Sequence, residues 1–391
     1  MLGDNLPSPS EVISLCKSRN ISKLRMTSPS IPVLQALRNT GIGVILSPYN
    51  EELMLFARIF TAAIDWVETY IVPYARSVDF RYISIGNEDI LGDNSMYILT
   101  AIHNVVNALR AANLHIPVTT TVSMEVLGTS YKPSQGVFSD KALKMLQPII
   151  YYLAFNKAPL LVNVYPYYAY AAKPDVVGLD YVLFTTSGVV VEDGNLGYSN
   201  MFDAMVDAMR AALEQAGGAD VEVVVSETGW PSFGGMTGAT IQNAKTYNNN
   251  LVKHVKSKIG TPKFPGKEIE VYVYSLFNEN LKPEGIKRNY DFSSRPCREL
   301  GASVLPYRDP NSSRLLRSRS QTHLPSEITS SSPFRLDSPT PVMGHSTSKP
   351  SETAYLADGN PAESLLLVMD YTASKPLAIY SFANDNGFDA T

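Results

Sequence analysis

Between residues 10 and 280, short apolar runs rich in β-branched and aromatic residues recur, separated by amphipathic stretches. That recurrence is the strongest constraint on the fold. The runs read as strands at "ISKLRMTS" (21–28), "GIGVILSP" (41–48), "FRYISIGNED" (80–89) and "IPVTTTVSM" (116–124). Three more follow at "PLLVNVYPYY" (159–168), "VEVVVSETGW" (221–230) and "IEVYVYSLFNEN" (269–280). Most lack strict alternation, as expected of strands covered on both faces. Between them, "PSEVISLCKSRN" opens a helix with Ser10 as the expected N-cap. Phe202, Met205, Met209 and Leu213 recur at helical spacing in a stretch that stops at Gly217-Gly218. Alternation of this kind predicts a parallel α/β protein, and a TIM barrel in preference to an open sheet. No Gly-x-Gly-x-x-Gly follows a strand, which removes the main reason to favour a dinucleotide fold.

Composition narrows the partners. At 45% hydrophobic residues most of the chain can build a core, and a net charge of −4 gives no reason to expect nucleic acid or an anionic membrane. No apolar run reaches the length of a membrane-spanning segment, so none is expected. Cys16 and Cys297 lie far apart and the five histidines are scattered, which predicts neither a disulfide framework nor a histidine-ligated metal. The opening "MLGDNLPSPSEV" lacks the charged-then-apolar layout of a secretory signal.

The character changes near residue 291. Residues 291–352 are rich in Ser, Pro and Arg without a sustained period. Such a segment buries too little apolar area to offset the roughly 1–2 kcal/mol per residue of backbone ordering, and is expected to be disordered. The remainder, 353–391, holds two strand-like runs in "AESLLLVMDYTASKPLAIYSFAND", split by Lys375-Pro376. It reads as a small hairpin or a packing appendage.

Three strand runs end in acids. Glu227 follows the valines of "VEVVVSETGW", Glu88 ends "YISIGNED", and Glu279 in "SLFNEN" is followed by Lys282. In an α/β barrel the active site lies at the C-terminal ends of the strands. Two facing carboxylates are the minimum apparatus for breaking a glycosidic bond: one protonated to assist the leaving oxygen, the other ionised to attack or to activate water. Asn87 can hydrogen-bond a sugar hydroxyl, and Trp230 with Tyr165, Tyr167, Tyr168 and Tyr170 offers flat faces for pyranose rings. Taken singly, each signal has a plainer reading. A strand-end glutamate is commonly a solvated loop acid, tyrosine runs commonly pack cores, Glu279 could cap a helix and Lys282 could be a surface lysine. Three acids ending separate strands of one barrel favour the catalytic reading.

At "SIGNE", "VVVSETGWPS" and "LFNENLKP" the sequence resembles plant glucan endo-1,3-β-glucosidases, glycoside hydrolase family 17, and the similarity runs from about residue 3 to about 290. The resemblance implies a (β/α)8 barrel over residues 1–290 that hydrolyses internal β-1,3-glucan links with retention. It makes Glu88 the acid/base at the end of the fourth strand and Glu227 the nucleophile at the end of the seventh. Asn87, Glu279 and Lys282 would support them, and Tyr165, Tyr167, Trp230, Phe277 and Asn278 would bind substrate. It implies β-1,3-glucan polysaccharide as partner, no metal or organic cofactor, a monomer, and a secreted or cell-wall location.

The departures carry expectations of their own. The family opens with a strand like "IGVNYG", and this chain begins just after it, leaving seven readable strands rather than eight. Met26 and Thr27 stand where the family has an isoleucine and an active-site tyrosine, "LSPYNE" replaces "LGVPNE", and Lys287 takes the place of an acid. A barrel without its first strand exposes two sheet edges. An incomplete barrel with impaired stability and weak or absent activity is therefore expected. The alternatives are a non-catalytic glucan-binding protein or a glycosidase acting on mixed-linkage β-glucan. The run "PLAIYSFAN" (376–384) is a candidate to occupy the vacant strand position.

Overall fold

The computed structural model describes residues 3–291 and the strand 365–369. The expected disorder after Asp291 and the run 376–384 fall outside the described residues.

Eight parallel strands close into a barrel. They are β1 (Ile21–Met26), β2 (Gly43–Leu46), β3 (Asp79–Asn87), β4 (Val118–Ser123), β5 (Leu160–Asn163), β6 (Val223–Thr228), β7 (Val271–Val273) and β8 (Leu365–Met369). From β1 to β7 each strand pairs with the next one in the chain. The seven runs read from the sequence are these seven strands, each shorter than its run.

The vacant eighth position is filled, which corrects the expectation of an incomplete barrel. Strand β8 lies between β7 and β1, with Val273 opposite Leu367 and Met26 opposite Met369. The physical reason is the one that made the gap costly: two open edges leave rows of backbone N–H and C=O groups unpaired, and one inserted strand satisfies both. Counted from β8, strand β3 is fourth, β6 seventh and β7 eighth.

Local chemistry sets the element boundaries. Helix α1 (Pro9–Ser18) starts from Ser8 rather than Ser10, because Pro9 suits the first helical position and Ser8 forms a capping box with Glu11. Pro166 likewise ends the strand reading of "NVYPYY": β5 stops at Asn163, and Pro166–Ala172 is helical. The helix Met201–Gln215 takes Asn200 as N-cap and is followed by Gly217 at φ 80°, the left-handed position expected beyond a helix end. The helix Ile98–Ala111 buries Ile98, Ala101, Ile102, Val105, Ala108 and Leu109 and packs on β3 and β4. No helix among the described residues is long and apolar enough to cross a membrane.

A polar cluster ties the N-terminal ends of three strands together. Arg81 of β3 donates two hydrogen bonds to Glu270, just ahead of β7, at 3.1 and 2.7 Å. Lys23 of β1 reaches the same carboxylate at 3.3 Å, and the Tyr272 hydroxyl donates to it at 2.8 Å. Gly43 of β2 makes room for this arrangement, since a Cβ there would fall 2.6 Å from Arg81 Cδ. Replacing Glu270 by Ala leaves two largely sheltered cations facing each other. The expected loss is about 2 kcal/mol, below the figure for a fully buried pair because Arg81 and Lys23 keep some exposure. Urea unfolding of the parent and Glu270→Ala checks it, and equal midpoints would refute the role given to the cluster.

Candidate active site

The two acids singled out from the sequence stand at the mouth of the barrel on strands separated by β4 and β5. Both strand ends depart from regular pairing. The register of β3 against β4 slips between Ser84 and Asn87, and that of β6 against β5 slips between Val225 and Glu227. Such bulges re-aim a side chain that the pleat would otherwise send elsewhere. On β3 the turn is completed by Gly86 at φ 83° and by Glu88 itself at φ 54°. A left-handed glutamate costs on the order of 1 kcal/mol or more and persists only where its surroundings fix it. Here the Glu88 N–H donates to Thr121 O at 2.9 Å. Beside it, Asn50 exchanges two hydrogen bonds of 2.9 Å with the Asn87 backbone. Glu88 is left exposed in the mouth, whereas Glu227 is buried, at 8% exposure.

A single hydrogen-bonded network joins them. Asn163, the last residue of β5, donates from Nδ2 to Glu88 at 2.7 Å and to Asn87 Oδ1 at 3.3 Å. Its own oxygen accepts from Arg25 Nη1 at 3.0 Å and from the Ser226 hydroxyl at 2.9 Å. The same Arg25 nitrogen forms an ion pair with Glu227 Oε1 at 2.6 Å, while Nη2 donates to Asn87 Oδ1 at 2.7 Å. The second oxygen of Glu227 accepts from the Tyr165 hydroxyl at 2.8 Å. Burial, and then the charge of Glu227, push the Tyr165 hydroxyl well above its ordinary pKa. It therefore stays protonated and remains a donor.

Arg25 and Asn163, which bond to the two acids, are candidate site residues that the sequence reading missed. Arg25 sits in "SKLRMTS", where a lone arginine in a strand run reads as a solvent-facing residue, yet its side chain is wholly buried. The available signal was parity: Lys23 and Arg25 are two apart, so both point into the barrel while Leu24 packs outward.

The third acid, Glu279, is buried with Lys282, at 3.3 Å. Lys282 also donates to the Tyr274 hydroxyl, and Tyr274 packs edge-on against Tyr165 and Tyr290. This pair thus borders the aromatic wall behind Glu227 and is neither a helix cap nor a surface lysine.

The structure redraws the aromatic assignments. Trp230 and Tyr167 have no exposed surface and cannot offer a face to a sugar. The Trp230 ring packs against Tyr167, Tyr170 and Tyr247, and its indole N–H donates to Gly238 O at 2.8 Å. Tyr165 and Phe277 are also buried, the former spending its hydroxyl on Glu227, whereas Asn278 is exposed and accepts from the Asp291 N–H. Tyr168 and Tyr170 are half-buried, and Tyr168 shares a hydrogen bond with Tyr290. The glycine in "SETGW" is explained by close approach: a Cβ on Gly229 would run into the Tyr274 carbonyl oxygen.

A small recess beside Glu88 is lined by Leu91, Ser123, Glu125 and Val126. Burial, and then the neighbouring Glu88, raise the Glu125 carboxyl above its ordinary pKa. A larger cavity of about 150 Å³, lined by Arg210, Gly218, Val223 and Phe264, lies at the N-terminal end of β6, opposite the acids.

A parallel barrel that brings two glutamates into one network at its mouth has the layout of a barrel glycoside hydrolase. The family model described as Glycosyl hydrolases family 17 matches residues 1–295, and the chain belongs to that family. It is 48% identical over 286 residues to a glucan endo-1,3-beta-glucosidase of Vitis vinifera, covering 72% of this chain and 82% of that one. It is 43% identical over 291 residues to lichenase-2 of Hordeum vulgare, covering 74% and 91%. Among solved structures it is similar to CJP38, a beta-1,3-glucanase and allergen of Cryptomeria japonica pollen. That match has a TM-score of 0.72 at 43% identity and covers 74% of this chain and 92% of the other.

If Trp230 is core rather than platform, Trp230→Ala should cost about 3–5 kcal/mol of stability. Chemical denaturation measures it; an unchanged midpoint together with weakened sugar binding would restore the platform reading.

Proposed function

We propose that this glycoside hydrolase cleaves internal β-1,3 links of β-glucan with retention, by double displacement between Glu88 and Glu227. One observation carries the reading: Asn163 and Arg25 tie both carboxylates into one network at the barrel mouth. The plant relatives named as 1,3-beta-glucan hydrolases add the linkage.

In the first step Glu88 gives its proton to the glycosidic oxygen while Glu227 attacks the anomeric carbon, forming a covalent glycosyl ester. In the second, Glu88 takes a proton from water, which displaces Glu227. The surroundings suit the division of labour. Glu227 is held ionised and oriented by the Arg25 guanidinium and the Tyr165 hydroxyl, both of which stabilise the carboxylate form. Glu88 lies exposed in the mouth, where its carboxyl accepts from the Asn163 amide at 2.7 Å and can face both the leaving oxygen and an incoming water. The substrate partner is the β-glucan chain itself, and a monomer suffices because every group used comes from one barrel.

The filled eighth strand position removes the open sheet edges as a reason for expecting an impaired enzyme, though it supplies no tyrosine, and the proposal is of an active one. A second reading rests on the likeness to lichenase-2, which is as strong as that to the Cryptomeria enzyme. It gives the same chemistry on mixed-linkage glucan.

Laminarin hydrolysis should be measurable with the purified chain, and Glu227→Gln and Glu88→Gln should each lower kcat by several powers of ten. Parental turnover in Glu227→Gln would overturn the assignment. Faster release of reducing ends from mixed-linkage glucan than from laminarin would select the second reading. Binding without release would leave a glucan-binding protein. Tyr165→Phe, which removes one donor from Glu227, is expected to lower kcat about ten- to a hundredfold with little change in KM, since that bond serves the carboxylate rather than the ground-state sugar.

A further inference from the structure

Strand β8 is placed unlike any other in the barrel. The seven other strands lie between residues 21 and 273, whereas β8 is Leu365–Met369, joined to the body through residues 292–364. Its pairing with β1 sets Ile21 opposite Leu365 and then, after a register slip that skips Ser22, runs regularly through Lys23 with Leu366, Leu24 with Leu367, Arg25 with Val368 and Met26 with Met369. On the other side it meets β7. Its sequence, Leu-Leu-Leu-Val-Met, is uninterruptedly apolar, the composition typical of strands inside a parallel sheet.

We infer that β8 is a separable closing strand, and that the gap between β1 and β7 is a binding site for it that holds without covalent connection. Three observations carry this. Backbone pairing on both sides satisfies donors and acceptors that would otherwise stand open on two edges. Seventy-three residues, 292–364, separate Asp291 from β8 in the sequence, and the regular ladder from Lys23–Leu366 to Met26–Met369 fixes the register. And β1 is a strand the site depends on: the residue opposite Val368 is Arg25, which holds Glu227. An empty gap would free one side of the strand that carries this guanidinium. The partner class is accordingly narrow: a short apolar segment added in parallel, supplied here by the chain's own C-terminal region.

Limited trypsin digestion of the full chain tests it. Arg298, Arg308, Arg314, Arg317, Arg319 and Arg335 lie in the connection, whereas no lysine or arginine lies between Ser351 and Ser374. The expected result is a nicked protein whose C-terminal fragment co-elutes with the body in native size-exclusion chromatography and separates only in denaturant. A body that elutes folded and alone, with its melting temperature unchanged, would overturn the inference. Hydrogen exchange on the uncut chain gives an independent reading. Amides of residues 365–369 should exchange at least about a hundredfold more slowly than an unstructured peptide of the same sequence, alongside those of Ile21–Met26. Exchange complete at the first time point would overturn it as well. Leu367→Pro removes a ladder N–H and should speed exchange across Ile21–Met26; unchanged exchange there would count against the assignment. None of these measurements uses catalysis, so they stand or fall separately from the proposed reaction.

Discussion

A guanidinium with no exposed surface sits at the centre of this protein. Taking such a charge out of water costs several kcal/mol unless its donors are met, and the two terminal nitrogens of Arg25, though not its Nε, meet partners from four different strands: Asn87 of β3, Thr121 of β4, Asn163 of β5 and Glu227 of β6. Each is in place only if the barrel has closed in register. The ion pair therefore turns a global property, closure, into a local one, the position of a single carboxylate. It also separates the two acids electrically: Glu227 sits against the cation, while Glu88 is reached only through the neutral amide of Asn163.

Around that centre the barrel divides its polar groups by end. At the N-terminal ends of the strands, Arg81, Lys23 and Tyr272 all converge on the one carboxylate of Glu270. At the C-terminal ends the groups are arranged about an open mouth, and backbone irregularity is concentrated there: two register slips and a left-handed glutamate. Strain at the mouth is tolerated because a rigid sheet and interlocking tyrosines enclose it. Tyr165, Tyr274 and Tyr290 pack edge to face behind Glu227, which excludes water from one side of that acid.

Much of this was legible in the sequence, and the failures have physical causes. Seven strands could be read because buried parallel strands are apolar runs, and Glu88 and Glu227 stood out because acids end three separate runs of one barrel, where any one of them alone would read as a solvated loop residue. Arg25 was not legible, since a charge within a strand looks the same whether it faces solvent or a barrel interior; only its partners distinguish the two, and they lie on other strands. Trp230 and Tyr167 were misjudged as sugar faces because an aromatic beside a catalytic motif suits a core wall as well as a platform, and composition cannot tell which. The closing strand was the hardest element. Two strand-like runs follow residue 353, and local periodicity cannot say which one fits the five-residue register beside β1.

The order of the strands along the chain has a consequence for biosynthesis. Among the barrel strands translation delivers β1 well before β8, so a ribosome that has made seven of the eight staves must still thread out residues 365–369 before the cask can be hooped. Throughout that interval two sticky sheet margins face the crowded cell. A protein built in this order should lean on chaperones more heavily than a barrel whose staves emerge in the sequence in which they are laid.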